Sequence, residues 1–302
     1  MNNISKDTEV LKEIISNNES VLANTKKEED RKQLIAEINY AKEILVKQYK
    51  DISYSSAMTF NQYEKWIRQQ GEQKKHKTGI NFIDNIFGGD GIEEEKFINL
   101  VGAPGTGKST LALEILLNVA KTEKAYFISL EMGRFKTYNE ISSRIKTIEQ
   151  KENLFIEIWN DNIDNIERDI ELFSHNGCKF FVIDSKMKIA LNGREPTHEK
   201  IEKMSNTLSK LTQRLGIIII LINQMSGDNL KNNVVTLKGS NAQDYDTDIL
   251  FSIEFDKNNN NQRILNVAKN RQNDVKPKIK YDLSFCEIID VEIGTVNMPI
   301  NL

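Results

Sequence analysis

The stretch Asn99–Leu113, NLVGAPGTGKSTLAL, decides how the rest of the chain is read. Gly102, Gly107, Lys108 and Ser109 fit G-x-x-x-x-G-K-[ST]. The preceding KFINLV (96–101) reads as a short buried strand, and KSTLALEILLNVAK (108–121) as a helix with apolar residues at helical spacing. Strand, glycine-rich loop and helix in that order are the context a phosphate-binding loop requires. Glycines let backbone N–H groups curl around phosphate oxygens, and the helix N-terminus adds partial positive charge. Gly102, Ala103, Pro104, Gly105, Thr106, Gly107, Lys108, Ser109 and Thr110 are therefore predicted to cradle a nucleoside triphosphate. In that cradle Lys108 reaches the β- and γ-phosphates, and the Ser109 hydroxyl ligates Mg²⁺.

Composition narrows what surrounds this loop. A chain of 302 residues has room for one large domain, or for one domain and an appendage. Its 39% hydrophobic content is enough for a sizeable core. A net charge of −3 and a pI near 5.8 give no global attraction for nucleic acid, so any such contact needs a local basic patch. Cys178 and Cys286 lie far apart without disulfide or metal spacing, which fits a reducing, cytoplasmic setting. The N-terminus is polar and lacks the apolar stretch of a signal peptide. The longest apolar run, GIIIILI (216–222), is far too short to cross a bilayer, so no membrane association is expected.

Residues 1–53 lack Gly and Pro and read as a helical hairpin or small bundle. Leu34, Ile35, Ile38, Ala41 and Leu45 form an apolar stripe at helical spacing, and Val10, Leu11, Ile14 and Ile15 begin another. SNNES (16–20) and TKKEED (25–30) are expected to flank the break. So narrow a stripe buries little alone, and it is expected to lie between neighbouring subunits. Residues 54–77 read as a linker helix, with Trp66 as its large anchor, followed by a basic linker. From residue 78 to 302 strands alternate with helices, the pattern of an α/β domain with a mostly parallel central sheet. Strands are predicted in FINLV, KAYFISL, LFIEIW, KFFVID and GIIIILIN, and helices after the loop and around 136–148, 163–175 and 197–214. The tail, with DILFSIEFD, RILNVAKN and KIKYDLSFCEIIDV, predicts an antiparallel extension.

In such a sheet the ligand site lies beyond the carboxyl ends of the strands, so polar residues there carry the chemistry. Asp184 ends KFFVID and suits a Mg²⁺-holding acid together with Ser109. Glu131 ends AYFISLEM, where a carboxylate beside the γ-phosphate can orient and deprotonate water, though a plain surface glutamate fits the spacing equally well. Gln224 ends IIIILINQ, and its amide can both donate to phosphate and accept from water.

The succession TGINFID…GG, GAPGTGKST, SLEM with Arg144 downstream, FFVID, LINQ, LKGSNAQDYDTDILF and AKNR resembles the RecA-fold motor domain of DnaB-type replicative helicases over about residues 78–290. The loop GAPGTGKST is itself closer to recombinase and clock-type members of the RecA superfamily. The resemblance implies a RecA-like P-loop ATPase using ATP and Mg²⁺, with Lys108, Glu131, Gln224, Lys269 and Arg271 as catalytic residues. Glu131 would be the base and Gln224 the coupling residue. Lys269 and Arg271 would reach the γ-phosphate held by a neighbouring subunit, in a homo-oligomer expected to be a hexameric ring. The chain then looks like a compact relative of the kind a phage or mobile element carries, with a helicase loader or primase as a further partner.

In ring motors of this fold single-stranded DNA is touched by loops beyond the strands. Here these are SKMKIALNGREPTHEK after Asp184 and MSGDNLKNNVVTLKG after Gln224. Lys186, Lys188, Arg194, Lys231 and Lys238 are their candidate phosphate contacts. Three activities remain open: a DNA helicase, a RecA-superfamily recombinase or branch-migration ATPase, and a nucleotide-gated regulatory ATPase that does not unwind DNA.

Overall fold

The computed structural model describes residues 2–25, 27–51, 59–191, 197–224, 246–284 and 287–289. The chain divides into two compact units, residues 1–72 with 168–172, and residues 73–167 with 173–302. In the first, α1 (Asn2–Asn24) and α2 (Glu28–Asp51) form a hairpin, and α3 (Phe60–Gln70) follows. α1 ends at Asn24 and α2 begins at Glu28, so the break falls after SNNES, as expected, and at the start of TKKEED. Asn and Ser disfavour helix by only a few tenths of a kcal/mol each, so α1 runs through them. Arg31 closes the break: its Nη1 donates to the carbonyls of Leu22 and Thr25, both at 3.0 Å. These are groups that a helix C-terminus leaves unpaired.

The α2 stripe differs from expectation. Ile38, Ala41 and Leu45 are already buried inside this chain, at 5% exposure or less, whereas Leu34 is half-buried and Ile35 remains 43% exposed. Another exposed apolar face lies on α3. A Thr59–Gln62 capping box starts that helix. Phe60, Tyr63, Trp66 and Ile67 then stand out to solvent, and the Trp66 ring lies 5.9 Å from that of Tyr63 on the same helix.

Among the described residues the second unit is built on a nine-stranded sheet. In chain order it contains β1 (Lys75–His76), α4 (Asn81–Ile86), β2 (Ile92–Glu93), β3 (Lys96–Gly102), α5 (Lys108–Val119), β4 (Ala125–Ser129), α6 (Arg134–Ser142), α7 (Ile148–Asn153) and β5 (Leu154–Glu157). Then come α8 (Ile163–His175), β6 (Phe180–Asp184), α9 (Thr197–Leu215), β7 (Ile218–Gln224), β8 (Ile249–Phe255), β9 (Gln262–Asn270), β10 (Lys278–Ser284) and β11 (Glu287–Ile289). The strand order is β11-β10-β9-β8-β3-β7-β6-β4-β5, with β1 and β2 as a separate antiparallel pair. From β8 to β5 every pairing is parallel, and β9, β10 and β11 extend the sheet antiparallel. Of the parallel strands, β3, β4, β6 and β7 are buried along nearly their whole length, which is why they read as unbroken apolar runs.

The helix predicted over 136–148 is two helices. Thr147 and Gln150 form a capping box that restarts the chain as α7, a T-x-x-Q signal present in the sequence. The TGINFID segment owes its residues to one aspartate. Asp84 accepts from the Thr78 N–H and hydroxyl, both at 2.8 Å, and from the Gly79 N–H at 3.1 Å. Gly79 has φ +70°, and a Cβ there would meet Asn118 of α5 at 2.7 Å, so only glycine fits. On β1 the buried His76 lies between Glu123 at 2.5 Å and Glu94 at 3.2 Å, and Lys179 reaches Glu94 at 3.4 Å. Burial opposes charging the imidazole, but the two carboxylates outweigh it and raise its pKa to about 9.

Candidate nucleotide site

The parallel register gathers the predicted residues at one edge of the sheet. β3 ends at Gly102, and Gly102 pairs with Gln224 at the tip of β7 and with Ile253 of β8. Ser129 at the tip of β4 pairs with Asp184 at the tip of β6. The amides of Leu130 and Glu131 both donate to the Asp184 carbonyl, at 2.6 and 3.2 Å, which draws Glu131 onto the end of β6. Glu131 is exposed there and Gln224 half-buried.

The loop from β3 to α5 turns through two left-handed glycines, Gly105 at φ +75° and Gly107 at φ +92°. A Cβ on Gly102 would lie 2.7 Å from both the Ile253 carbonyl oxygen and Thr106 Oγ1, so the loop's first glycine is required for packing. Lys108 is 8% exposed and folds over the loop. Its Nζ donates to the carbonyls of Gly102 at 3.1 Å and Ala103 at 2.9 Å. Burial lowers the Lys108 pKa, and the charges of Asp184 and Glu131 partly offset this. These three groups therefore share one electrostatic site.

Asp184 is the better-buried acid, at 1% exposure. Burial raises its pKa and the Glu131 charge adds to the rise, while a Ser109 hydrogen bond and the charges of Lys108 and Lys136 pull the other way. Asp184 Oδ1 is buried without a hydrogen-bond partner. An orphaned carboxylate oxygen beside the first hydroxyl of a phosphate-loop helix fits Mg²⁺, which is held by few protein ligands, water and phosphates. Ser109 and Asp184 would hold the ion, whose charge would neutralise the β- and γ-phosphates. Among the described residues no cluster of three or more His, Cys, Asp or Glu offers an all-protein metal cage.

Lys269 and Arg271 are not brought to this edge. Asn270 pairs with Ile249 of β8, and Ile249 pairs with Ile98 of β3, near the strand's opposite end. Arg271 lies about 15 Å along the sheet from Gly102, at ~3.3 Å per residue. It is tied there to Asp248, through its backbone N–H at 3.0 Å and its guanidinium at 3.4 Å. Asp248 in turn accepts from the Phe97 amide at 3.0 Å. Of the predicted DNA contacts, Lys188 is exposed but Lys186 is buried at 6% exposure. Burial pulls the Lys186 pKa down to about 8, so its ammonium is not displayed to a backbone phosphate. Arg194, Lys231 and Lys238 lie outside the described residues.

Three neighbours of the site escaped sequence reasoning. Lys136, in the first turn of α6, acts on Asp184 through its charge. Arg263 of β9 is 8% exposed, and its Nε donates to the Thr106 carbonyl at 3.1 Å. Asn99, a polar residue inside the buried β3, accepts from Asn223 at 2.6 Å and donates to Thr247 at 2.7 Å. Asn99 had a legible signal, an amide in an apolar strand. Lys136 and Arg263 had none, because their partners come from distant segments.

A parallel sheet carrying a phosphate loop, a strand-end aspartate and glutamate, and an antiparallel C-terminal extension defines a RecA-like P-loop ATPase. The chain belongs to the KaiC family of ATPases, whose sequence profile matches residues 76–292. It is 24% identical over 209 residues to the DNA repair protein RadA of Aquifex aeolicus, covering 67% of this chain and 43% of RadA. It is 26% identical over 224 residues to the DNA repair and recombination protein RadB of Methanobrevibacter smithii, covering 66% of this chain and 89% of RadB. The chain thus spans less than half of the RadA relative and most of the RadB one. Its fold is also similar to that of a DnaB-like replicative helicase, solved for its interactions with primase: TM-score 0.65 at 16% identity, covering 86% of this chain and 74% of that one. No helix among the described residues is long and apolar enough to cross a membrane.

Proposed function

We propose that this chain is an ATP-driven motor of the DnaB-like kind, which assembles with copies of itself, translocates on single-stranded DNA and hydrolyses ATP between subunits. The observation that carries this reading is the sheet register. One chain supplies the phosphate loop, Ser109, Asp184, Glu131 and Gln224 at one edge, and Lys269 and Arg271 at the other. Cations so placed can serve the site of a second copy and not their own. Positive charge delivered in trans stabilises the transferring phosphoryl group and ties hydrolysis to assembly.

Two exposed apolar patches on different elements support a head-to-tail contact. One is the α3 face with Phe60, Tyr63, Trp66 and Ile67; the other is Phe135, Tyr138 and Ile148 on α6 and α7. Such a heterologous interface closes as a ring or runs on as a filament. The resemblance favours a six-fold ring. The fold likeness to the DnaB-like helicase extends over 86% of the chain, a larger share than the ATPase core alone. Lys188, Arg194, Lys231 and Lys238 are the remaining candidates for DNA phosphate contact.

A second reading, a RecA-superfamily recombinase or branch-migration ATPase, is favoured by the loop GAPGTGKST and by the RadA and RadB relatives. The test is strand displacement on a forked duplex with ATP and Mg²⁺, read beside single-strand-stimulated ATPase. Displacement together with stimulation supports the helicase. Stimulation without displacement supports the recombinase. Turnover indifferent to DNA removes both and leaves a nucleotide-gated regulatory ATPase.

A further inference from the structure

Neither of the two loops read as touching DNA carries an aromatic residue. The fold brings one to the first of them from another connection. Trp159 lies two residues beyond β5, in the turn that leads to α8, and is 72% exposed. Glu157 pairs with Ile128 of β4, so Trp159 stands level with Leu130, at the edge of the sheet that holds the phosphate loop. Only β4 separates β5 from β6, which places the turn about 10 Å from the Asp184 end of β6, at ~4.8 Å per strand. The segment after Asp184 crosses that gap. The Ala190 amide donates to the Asp161 carbonyl at 2.8 Å, and the Ile163 amide to the Ala190 carbonyl at 3.2 Å. With it come Met187, 50% exposed, and Lys188, also exposed. The turn is fixed from its own side as well. The Glu157 carboxylate accepts from the amides of Trp159 at 2.6 Å and Asn160 at 3.1 Å, and Asn162 Oδ1 accepts from the Asp164 amide at 2.9 Å. A turn braced at so many points nonetheless leaves its largest side chain in water.

We propose that Trp159 is a base-stacking platform for single-stranded DNA, set beside the candidate phosphate contact Lys188. This role rests on the DNA-binding reading and adds that bases, and not phosphates alone, are held. An indole face stacks on any base, so the contact carries little sequence preference. The braced backbone means that little freedom is lost when a base arrives. Lys188 and Asp161 are both exposed and of opposite sign, so the patch offers a ring more than a field of charge. A protein partner needs more than this. Stable interfaces take about 20–30 residues a side around a desolvated apolar core, whereas Trp159 is followed by Asn160, Asp161 and Asn162. A nucleobase needs one flat face, with a cation nearby for the phosphate beside it. The clamp at Ala190 ties the turn to the segment that carries Lys188, so base and phosphate contacts keep a fixed spacing.

Dissociation constants for oligothymidylate and for an abasic strand of equal length, taken on the full chain with ATP and Mg²⁺, separate base contacts from phosphate contacts. The wild-type chain is expected to bind oligothymidylate about tenfold more tightly than the abasic strand, with quenching of its tryptophan fluorescence. Trp159→Ala should remove that advantage and leave the abasic affinity unchanged, which also reports that the variant is folded. Trp159→Phe should keep most of the affinity yet lose most of the quench, since the chain's other tryptophan, Trp66, lies on α3. Unchanged oligothymidylate affinity in Trp159→Ala overturns the platform while the DNA-binding reading stands. So does a wild-type chain that binds both strands alike. An equal loss of both strands in Trp159→Ala overturns it too, since the ring would then only support the loop. A quench that persists in Trp159→Phe assigns the contact to Trp66 and overturns it as well. Binding of neither strand by the wild-type chain overturns both the platform and the DNA-binding reading.

Discussion

Lys108 and Glu131 are close in space but have separable duties. Lys108 donates to the carbonyls of Gly102 and Ala103, and triphosphate oxygens compete for the same ammonium. Among the charged groups placed at the loop it is the cation that spans it, so Lys108→Ala should abolish nucleotide binding in a direct titration. Glu131 stands outside the cradle, on the amide bridge that joins the ends of β4 and β6. Glu131→Gln keeps the size and hydrogen-bonding reach of the side chain but removes its basicity. It should bind ATP as the wild type does and turn it over about 10²–10⁴-fold more slowly. Turnover at the wild-type rate in that variant would sink the assignment of Glu131 as base.

At the scale of elements, β2 is held to the core by the fully buried Ile92, and β1 by charge. His76 is buried, and burial works against its protonation, yet Glu123 and Glu94 raise its pKa from 6.5 to about 9. The folded state therefore binds this proton more tightly than the unfolded state does. The resulting stabilisation is complete below about pH 6.5, declines as pH rises, and is gone above about pH 9. A shift of that size corresponds to about 3 kcal/mol, and solvent screening at the partly exposed Glu123 reduces it to about 1–2 kcal/mol. The wild type should melt about 2–6 °C above His76→Gln at pH 6, with the difference vanishing near pH 9.5. A pH-independent difference would mean that His76 contributes packing alone. Cys178, by contrast, is a buried thiol with its pKa pushed up by burial to about 12, which makes it inert in this range.

At the scale of the whole molecule, the proposal depends on Arg271 working across a subunit boundary. An isolated chain then binds ATP with a full cradle but lacks one transition-state cation. Lys108→Ala and Arg271→Ala should each be inactive as pure proteins. Mixed assemblies contain interfaces with an intact cradle from one copy and an intact arginine from the other. Mixing the two variants should therefore recover part of the ATPase activity, up to about a quarter of wild type if interfaces form at random and act independently. Absence of recovery in assemblies shown to be mixed would leave Arg271 as a partner of Asp248 only, and the ring-motor reading would lose its mechanistic support.

The sequence by itself determined the loop, the alternation of strands and helices, the acids at the strand tips and the antiparallel tail. Each of these is written in contiguous residues, as a motif such as GAPGTGKST or as an apolar run such as IIIILI. The T-x-x-Q that splits residues 136–148 into two helices was equally local and open to reading. Only the tertiary structure decided which face of a helix was already used. Ile38, Ala41 and Leu45 have the same periodicity whether a neighbour or the chain itself buries them, so α2 closes inward while α3 keeps an apolar face outward. It also decided that Lys186 is buried, that Arg263 reaches Thr106 across 157 positions of sequence, and that Arg271 sits at the far edge of the sheet from its own phosphate loop. These depend on strand order and register, set by packing between segments distant in the chain, which a pattern of neighbouring residues does not encode.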